Sequence, residues 1–307
     1  MSLAAIRPLG RSRWLSLAQR DGLTAWSLAL PATLAMLSLI FVPTLLVAVL
    51  SITDWQFGAR SFDWIGLENF AEIASDENGR KAVINTLIYV GVVMPASVAL
   101  GLLAALGVQA SGVGRGFFRA AMFLPVASTL VAMATVWQML LHPSLGLVNS
   151  LLGTIGLAGP DWLSDRELVL FTLAGIGIWE TVGYNMVLFL AGLAAIPEDL
   201  YQAAEVDGAG KPWERFWTVT WPLLGPTVLF VVTITAIRSF RVFETVATLT
   251  AGGPGYASDV LVYALYREGF EYFRAGYSAA LTVVFLVFTV SLTLVKFRLL
   301  DRWVFYR

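Results

Sequence analysis

Two short stretches carry ionisable and hydrogen-bonding side chains where almost every neighbour is apolar: IWETVGYNM at 178–186 and AIRSFRVFE at 236–244. The first gathers Trp179, Glu180, Gly183, Tyr184 and Asn185. An aromatic ring beside an amide suits a sugar, because the ring stacks on the apolar face of the sugar while the amide exchanges hydrogen bonds with its hydroxyls. The second stretch carries Arg238, Arg241 and Glu244. A planar guanidinium matches phosphate, sulfonate or carboxylate through two parallel hydrogen bonds. Each group also has a structural alternative. Trp179 and Tyr184 can fill space between helices, Glu180 can pair with Arg238 across helices, and Arg241 can pair with Glu244 three residues on. Reaction chemistry is otherwise missing. His142 is the only histidine and lies beside Pro143, there is no cysteine, and no HExxH occurs, so neither a thiolate nor a zinc-hydrolase site is expected. GVGRG at 112–116 lacks the GxGxxG spacing. GAGK at 208–211 has Glu205 where a phosphate loop needs its first glycine and Pro212 where it needs Ser or Thr. No catalytic residue, metal site or nucleotide site is expected on this chain, which reads as a non-enzyme.

The elements that must position these residues follow from the distribution of charge. Of 307 residues, 58% are hydrophobic and only 13% charged, against roughly 25% charged in a soluble domain. The charges are bunched, leaving uncharged runs at 22–53, 82–114, 120–160, 216–237 and 275–295, and a run at 168–197 broken only by Glu180. A helix needs about 20 such residues to cross a hydrocarbon core. Six spans are therefore expected, at 23–51, 83–108, 117–141, 168–193, 216–238 and 276–297. The fold expected is all-α and polytopic, embedded in a lipid bilayer. The first apolar run is longer than the 7–15 residues of a signal-peptide core, so it reads as a retained helix. Arg7, Arg11, Arg13 and Arg20 precede the first span and Lys296, Arg298, Arg302 and Arg307 follow the last. Cations accumulate on the cytoplasmic side, so both termini are expected there, with tails at 1–22 and 298–307. The loops at 109–119 and 194–215 then face inward, and those at 52–82, 142–166 and 239–275 face outward. A net charge of −1 gives no reason to expect nucleic acid.

One inward loop contains a helix of its own. Pro197, Glu198 and Asp199 form a start signal, and Gly208 a stop about three turns later. Leu200, Ala203, Ala204 and Asp207 follow the i, i+3, i+4, i+7 spacing, giving one nearly smooth face. A helix this short is marginal alone and takes its stability from packing. Its surroundings are acidic (Glu198, Asp199, Glu205, Asp207, Glu214), which an anionic inner leaflet disfavours, so a protein partner fits better than lipid.

YQAAEVDGA at 201–209, followed by WPLLGP at 221–226, resembles the "EAA…G…LP" signature of binding-protein-dependent ABC importer permeases. FFRAAMFLPV (117–126), GLVNSLL (146–152), LFLAGLAAIP (188–197), LTAGGPGYASDVLVYALYREGF (249–270) and GYSAAL (276–281) are similar to the disaccharide and glycerol-3-phosphate branch of its carbohydrate permeases. WIGLENF (64–70) and GLVNSLL are similar to the first of two non-identical permease subunits. The resemblance implies the type I ABC importer permease fold, with a permease transmembrane domain over 82–297 preceded by a first helix and outward loop at 23–81. It implies a cytoplasmic coupling helix between spans 4 and 5, in which Tyr201, Gln202, Ala203, Ala204, Asp207, Gly208 and Ala209 meet an ATPase subunit. Gln202 stands where the family usually has Glu, and a neutral amide still hydrogen-bonds there. ATP and magnesium are implied on partner subunits and no cofactor on this chain. The implied partners are a second homologous permease, two ATP-binding subunits and an extracytoplasmic binding protein. The location implied is the bacterial inner membrane. The resemblance places substrate contacts around 179–185. Arg238 and Arg241 depart from the small or uncharged residues usual there, so an anionic sugar-like solute stands beside a neutral sugar as an expected substrate. A secondary transporter or a solute channel is the reading from another class. The first would need ion-coupling carboxylates near the midplane, where Glu180 stands alone, and the second would leave the inward helix without a purpose.

Overall fold

The computed structural model describes residues 25–112 and 114–303; the tail at 1–22 and residues 304–307 lie outside the described residues, as do the side chains of 295–303. Within the bilayer a backbone must satisfy its own polar groups, which drives long apolar runs into helices. In chain order these are α1 (Ala25–Leu50), α2 (Glu68–Ser75), α3 (Glu77–Ala110), α4 (Arg115–Ala127), α5 (Leu130–Leu140), α6 (Leu147–Thr154), α7 (Val169–Ala194), α8 (Glu198–Val206), α9 (Gly225–Phe240), α10 (Glu244–Leu249), α11 (Leu261–Tyr266) and α12 (Ala275–Trp303). Among the described residues, β structure is limited to an antiparallel bridge between Thr53 and Trp64.

Five helices are long and apolar enough to cross a membrane, and α4 with α5 makes a sixth span if the bent pair is counted as one. The expected third span is thus not a straight helix but turns by 103° after Ala127. Pro125 removes a backbone donor, and the Ser128 hydroxyl bonds the Leu124 carbonyl at 3.1 Å, so the chain has a local alternative to continuing the ladder. The expected fifth span is also displaced. Its apolar helix begins at Gly225 rather than 216, because Pro222 and Pro226 interrupt WPLLGP and Pro226 initiates a new helix. Residues 212–223 form a separate helical run with a wide π turn over Phe216–Thr220. The span extends instead through a break at 241–243 to Leu249. Arg238, Arg241 and Glu244, expected beyond or at the outward end, therefore lie within it.

The bundle is organised on α3 and α7, packed along their lengths, with α4 and α9 against them and α12 closing the opposite side. Three apolar clusters fill it. One joins Ala105, Val108, Met186, Phe189, Leu193, Leu224 and Val231 at the α8 end. A second, around Leu173, Val246 and Val260, and a third, around Ala82, Leu261 and Leu281, fill the other end. α1 touches α12 through its last segment, Val42–Leu50, and its apolar side chains are otherwise exposed on this chain.

Candidate functional site

A cavity of about 650 Å3 opens between the clusters, in the half of the bundle away from α8. Its polar lining comes from α7 (Glu180, Thr181) and from the α9–α10 break (Arg238, Ser239, Arg241, Glu244). Apolar walls are supplied by Tyr89 and Val93 of α3 and Phe285 of α12. Arg238 projects from the last turn of α9, whereas Arg241 stands just past its end at Phe240, exposed in the 241–243 turn while Val242 and Phe243 of the same turn pack on the core.

The two arginines are in different electrostatic situations. Arg238 donates to Glu180 Oε1 at 3.4 Å and lies over the Tyr184 ring, 4.6 Å from its centroid. One face of its guanidinium thus meets a ring quadrupole and one edge a carboxylate. Arg241 makes no ion pair with any described residue, Glu244 included. Of the two structural pairs considered from sequence, Glu180–Arg238 is present and Arg241–Glu244 is not within ion-pair distance.

The remaining residues of IWETVGYNM pack the helices. Trp179 stacks edge-on to Trp137 of α5, with centroids 5.3 Å apart. Gly183 lets α4 cross α7 closely, since a Cβ there would collide with the Met122 carbonyl oxygen. Asn185 is fully buried; its amide accepts from Thr235 Oγ1 at 2.8 Å and donates to Ser97 Oγ at 3.4 Å. Its hydrogen bonds join α7 to α3 and α9 and are not available to a solute in the cavity. The structure therefore brings Glu180, Tyr184, Arg238 and Arg241 together and leaves Trp179, Gly183 and Asn185 between helices. Tyr89 and the α9–α10 break were missed by sequence reasoning. The signal for the break was available, since Arg-Val-Phe-Glu puts two charges and two bulky side chains where a straight span would need small apolar ones.

The other functional candidate is α8. Pro197 is the N-cap rather than the first helical residue, and the first turn carries Glu198 and Asp199 at the positive end of the helix dipole. The C-terminus closes with paired bonds: Gly208 N–H to Glu205 O at 3.2 Å and Ala209 N–H to Ala204 O at 2.8 Å. This closure requires the left-handed φ of +101° at Gly208. Gln202, Ala203, Val206, Asp207 and Gly208 are exposed, while Tyr201, Ala204 and Ala209 are half-buried. Val206 is 88% exposed, an apolar side chain with no partner in this chain. α8 is tied to the 212–223 run by Tyr201 Oη to Thr220 Oγ1 at 3.1 Å and by Arg215 to Glu205 at 3.7 Å. A groove of about 720 Å3 separates it from Leu102, Leu106 and Ala110 at the end of α3.

At the opposite end, residues 250–274 are held by a buried pair absent from the sequence reading. Arg267 Nη2 donates to Asp259 Oδ2 at 2.7 Å, with side chains 7% and 0% exposed, beneath the rings of Tyr256, Tyr263 and Tyr272. Asn85 of α3 donates to the carbonyls of Tyr256, Ala257 and Asp259 and pins this loop to the bundle. Burial pushes the Asp259 carboxyl up to about 6 against the pull of Arg267, and its Oδ1 has no hydrogen-bond partner.

A broken bundle of apolar spans, a charged cavity within it and a protruding short helix together define a membrane transport subunit. The chain belongs to the family of inner-membrane components of binding-protein-dependent transport systems, whose model matches residues 97–306, and it is a multi-pass permease subunit of an ABC importer. It is similar to the sn-glycerol-3-phosphate transport system permease protein UgpA of Agrobacterium fabrum, 34% identical over 253 residues that cover 81% of this chain and 85% of that one. Among solved structures, a bacterial ABC transporter involved in the import of the acidic polysaccharide alginate matches with a TM-score of 0.77 and 25% identity over 93% of this chain and 99% of that one. A bacterial alginate ABC transporter in complex with an alginate pentasaccharide-bound periplasmic protein has the same fold, with a TM-score of 0.81 at 24% identity, over 94% of this chain and 98% of that one.

Proposed function

We propose that this subunit forms, with a second homologous permease, the path by which a sugar or sugar derivative enters the cell, driven by ATP hydrolysis on two separate ATP-binding subunits. An extracytoplasmic binding protein delivers the solute at the 250–274 end, and both termini lie in the cytoplasm. The observation that carries this reading is the state of α8: a capped helix anchored on one side only, presenting Ala203, Val206 and Gly208 without a partner. Such a helix is stabilised by what docks on it. Tyr201, Gln202, Ala203, Ala204, Asp207, Gly208 and Ala209 form the surface that meets the ATPase. The 212–223 run joins α8 to α9, and α9 ends at the cavity, so displacement of α8 reaches Arg238 and Arg241 along continuous structure. Glu180, Tyr184, Arg238 and Arg241 line or support the solute path. The exposed apolar surfaces of α1 and α4 face lipid and the second permease.

The reading is tested with Gly208→Asp in the complete importer reconstituted in vesicles with its binding protein. An L-residue at φ +101° costs on the order of 1–3 kcal/mol, and the new carboxylate adds to an acidic patch. Solute accumulation per ATP hydrolysed should fall by about five- to 150-fold, with that energy converted at about 1.4 kcal/mol per decade. A variant that couples as well as the native importer would remove α8 from the mechanism.

A further inference from the structure

We propose that Arg241 is the specificity-determining residue of the cavity and that the solute passing it carries an anionic oxygen group, a phosphate, sulfonate or carboxylate, on a hydroxylated scaffold. The inference rests on the importer reading above and deepens it. Its starting point is the inequality of the two arginines. Arg238 is already committed, with Glu180 at 3.4 Å and Tyr184 beneath it. Arg241 stands at the first position after α9, lines the same 650 Å3 cavity and pairs with no described carboxylate. A charge inside a membrane span is costly and persists where water or a ligand meets it. Arg241 cannot relieve that cost by losing its proton, because a guanidinium stays charged in proteins. Its fork therefore presents donors to whatever enters, and an oxyanion satisfies two of them at once.

The polar groups nearby divide the work in a way that suits such a solute. Ser239, Thr181, Thr245 and Thr282 border the cavity and give its wall a polar character suited to a hydroxylated scaffold, with the Thr282 hydroxyl donating to the Ser278 carbonyl, while Glu180 is held back from an incoming anion by its bond to Arg238. Of the two carboxylates lining the cavity, Glu180 is bonded to Arg238 and Glu244 lies on the other side of the break, at the start of α10. The rival account is that Arg241 and Glu244 merely neutralise each other, and it makes a different prediction for the double variant.

The experiment uses the complete importer with its binding protein in proteoliposomes, and matched probes: glycerol and glycerol 3-phosphate, galactose and galacturonate, glucose and its 6-sulfonate. The native importer should accumulate at least one acid over its neutral counterpart by about tenfold or more, the scale of a charge-assisted hydrogen bond. Arg241→Gln should erase that preference, and Arg241→Lys should keep part of it, as a point charge without the fork. Arg241→Gln combined with Glu244→Gln should stay as poor as Arg241→Gln alone. Accumulation of neutral members only, accumulation of no acid, or recovery of acid uptake in the double variant would overturn the assignment. Copurification with the ATPase subunits and ATP-driven uptake report separately on the importer reading. An assembled importer that concentrates only neutral solutes sinks the anion assignment alone, whereas failure to assemble or to respond to ATP sinks the importer reading itself.

Discussion

Arg238 shows how one side chain can serve architecture while its neighbour three residues on makes no ion pair among the described residues. Glu180 is 18% and Arg238 40% exposed at the side chain, so the pair is partly solvated and its mutual stabilisation is modest, about 1 kcal/mol. Thermal unfolding of Glu180→Gln, Arg238→Gln and the double variant in detergent should give a coupling energy of about that size; a coupling indistinguishable from zero would mean that the contact is incidental. Gly183 has a larger effect to show. Replacement by Val places atoms where the Met122 carbonyl lies, and α4 must withdraw from α7. Overpacking of this kind costs about 1–3 kcal/mol, which a lowered melting temperature would register, while an unchanged value would mean that α4 is not fixed at this crossing. Asn185 and Gly183 also show where sequence reading stops. Both were legible as unusual residues within a span, yet a buried amide satisfied by Thr235 and Ser97 looks the same in sequence as one awaiting a sugar.

At the scale of elements, the breaks matter more than the helices. Five of the six expected apolar runs, α7 at nearly its expected bounds among them, were readable as membrane-length helices from the spacing of charges, because hydrophobic length is a one-dimensional property; the sixth is matched only if the bent α4–α5 pair counts as one span. The turn after Ala127 and the late start of α9 were not, since a proline in an apolar run can kink, start or end a helix, and neighbouring helices decide which. The pairing of Asp259 with Arg267 was equally hidden, because the two residues flank the short helix α11 and a spacing of eight does not reveal which side chains fold inward. That pair gives the loop a pH dependence whose sign is fixed. The folded carboxyl titrates at about 6 and its ordinary value is 3.8, so the folded state binds the proton more readily than the unfolded one. Stability contributed by this group is greatest at low pH and falls as pH rises from about 4 to about 6, while the charged pair with Arg267 forms only above that range. Asp259→Asn should remove this component, and the difference in melting temperature between variant and native protein should change across pH 4 to 6. A difference constant with pH would show that Asp259 is ionised throughout.

Over the whole molecule, the two candidate sites occupy opposite ends of one connected path. α8 leans on the 212–223 run through the Tyr201–Thr220 bond and the Glu205–Arg215 contact, and that run leads through the fully buried Leu224 into α9. The groove beside Leu102 and Leu106 leaves α8 without a firm seat on α3, so these two contacts carry much of whatever displacement α8 receives. Loosening them by changes that keep the Tyr201 ring on the docking surface should impair transmission more than docking. Tyr201→Phe removes a neutral hydrogen bond, on the order of 1 kcal/mol, and Glu205→Gln weakens an ion pair that is largely solvated and worth less. Combined, the two changes should raise the ATP consumed per solute imported by about five- to tenfold, the range set by roughly 1–1.4 kcal/mol, while the subunits still copurify. If the ratio of ATP to solute is unchanged in the double variant, movement must reach the cavity by another route, with the end of α7, joined to α8 through residues 195–197, as the remaining covalent connection.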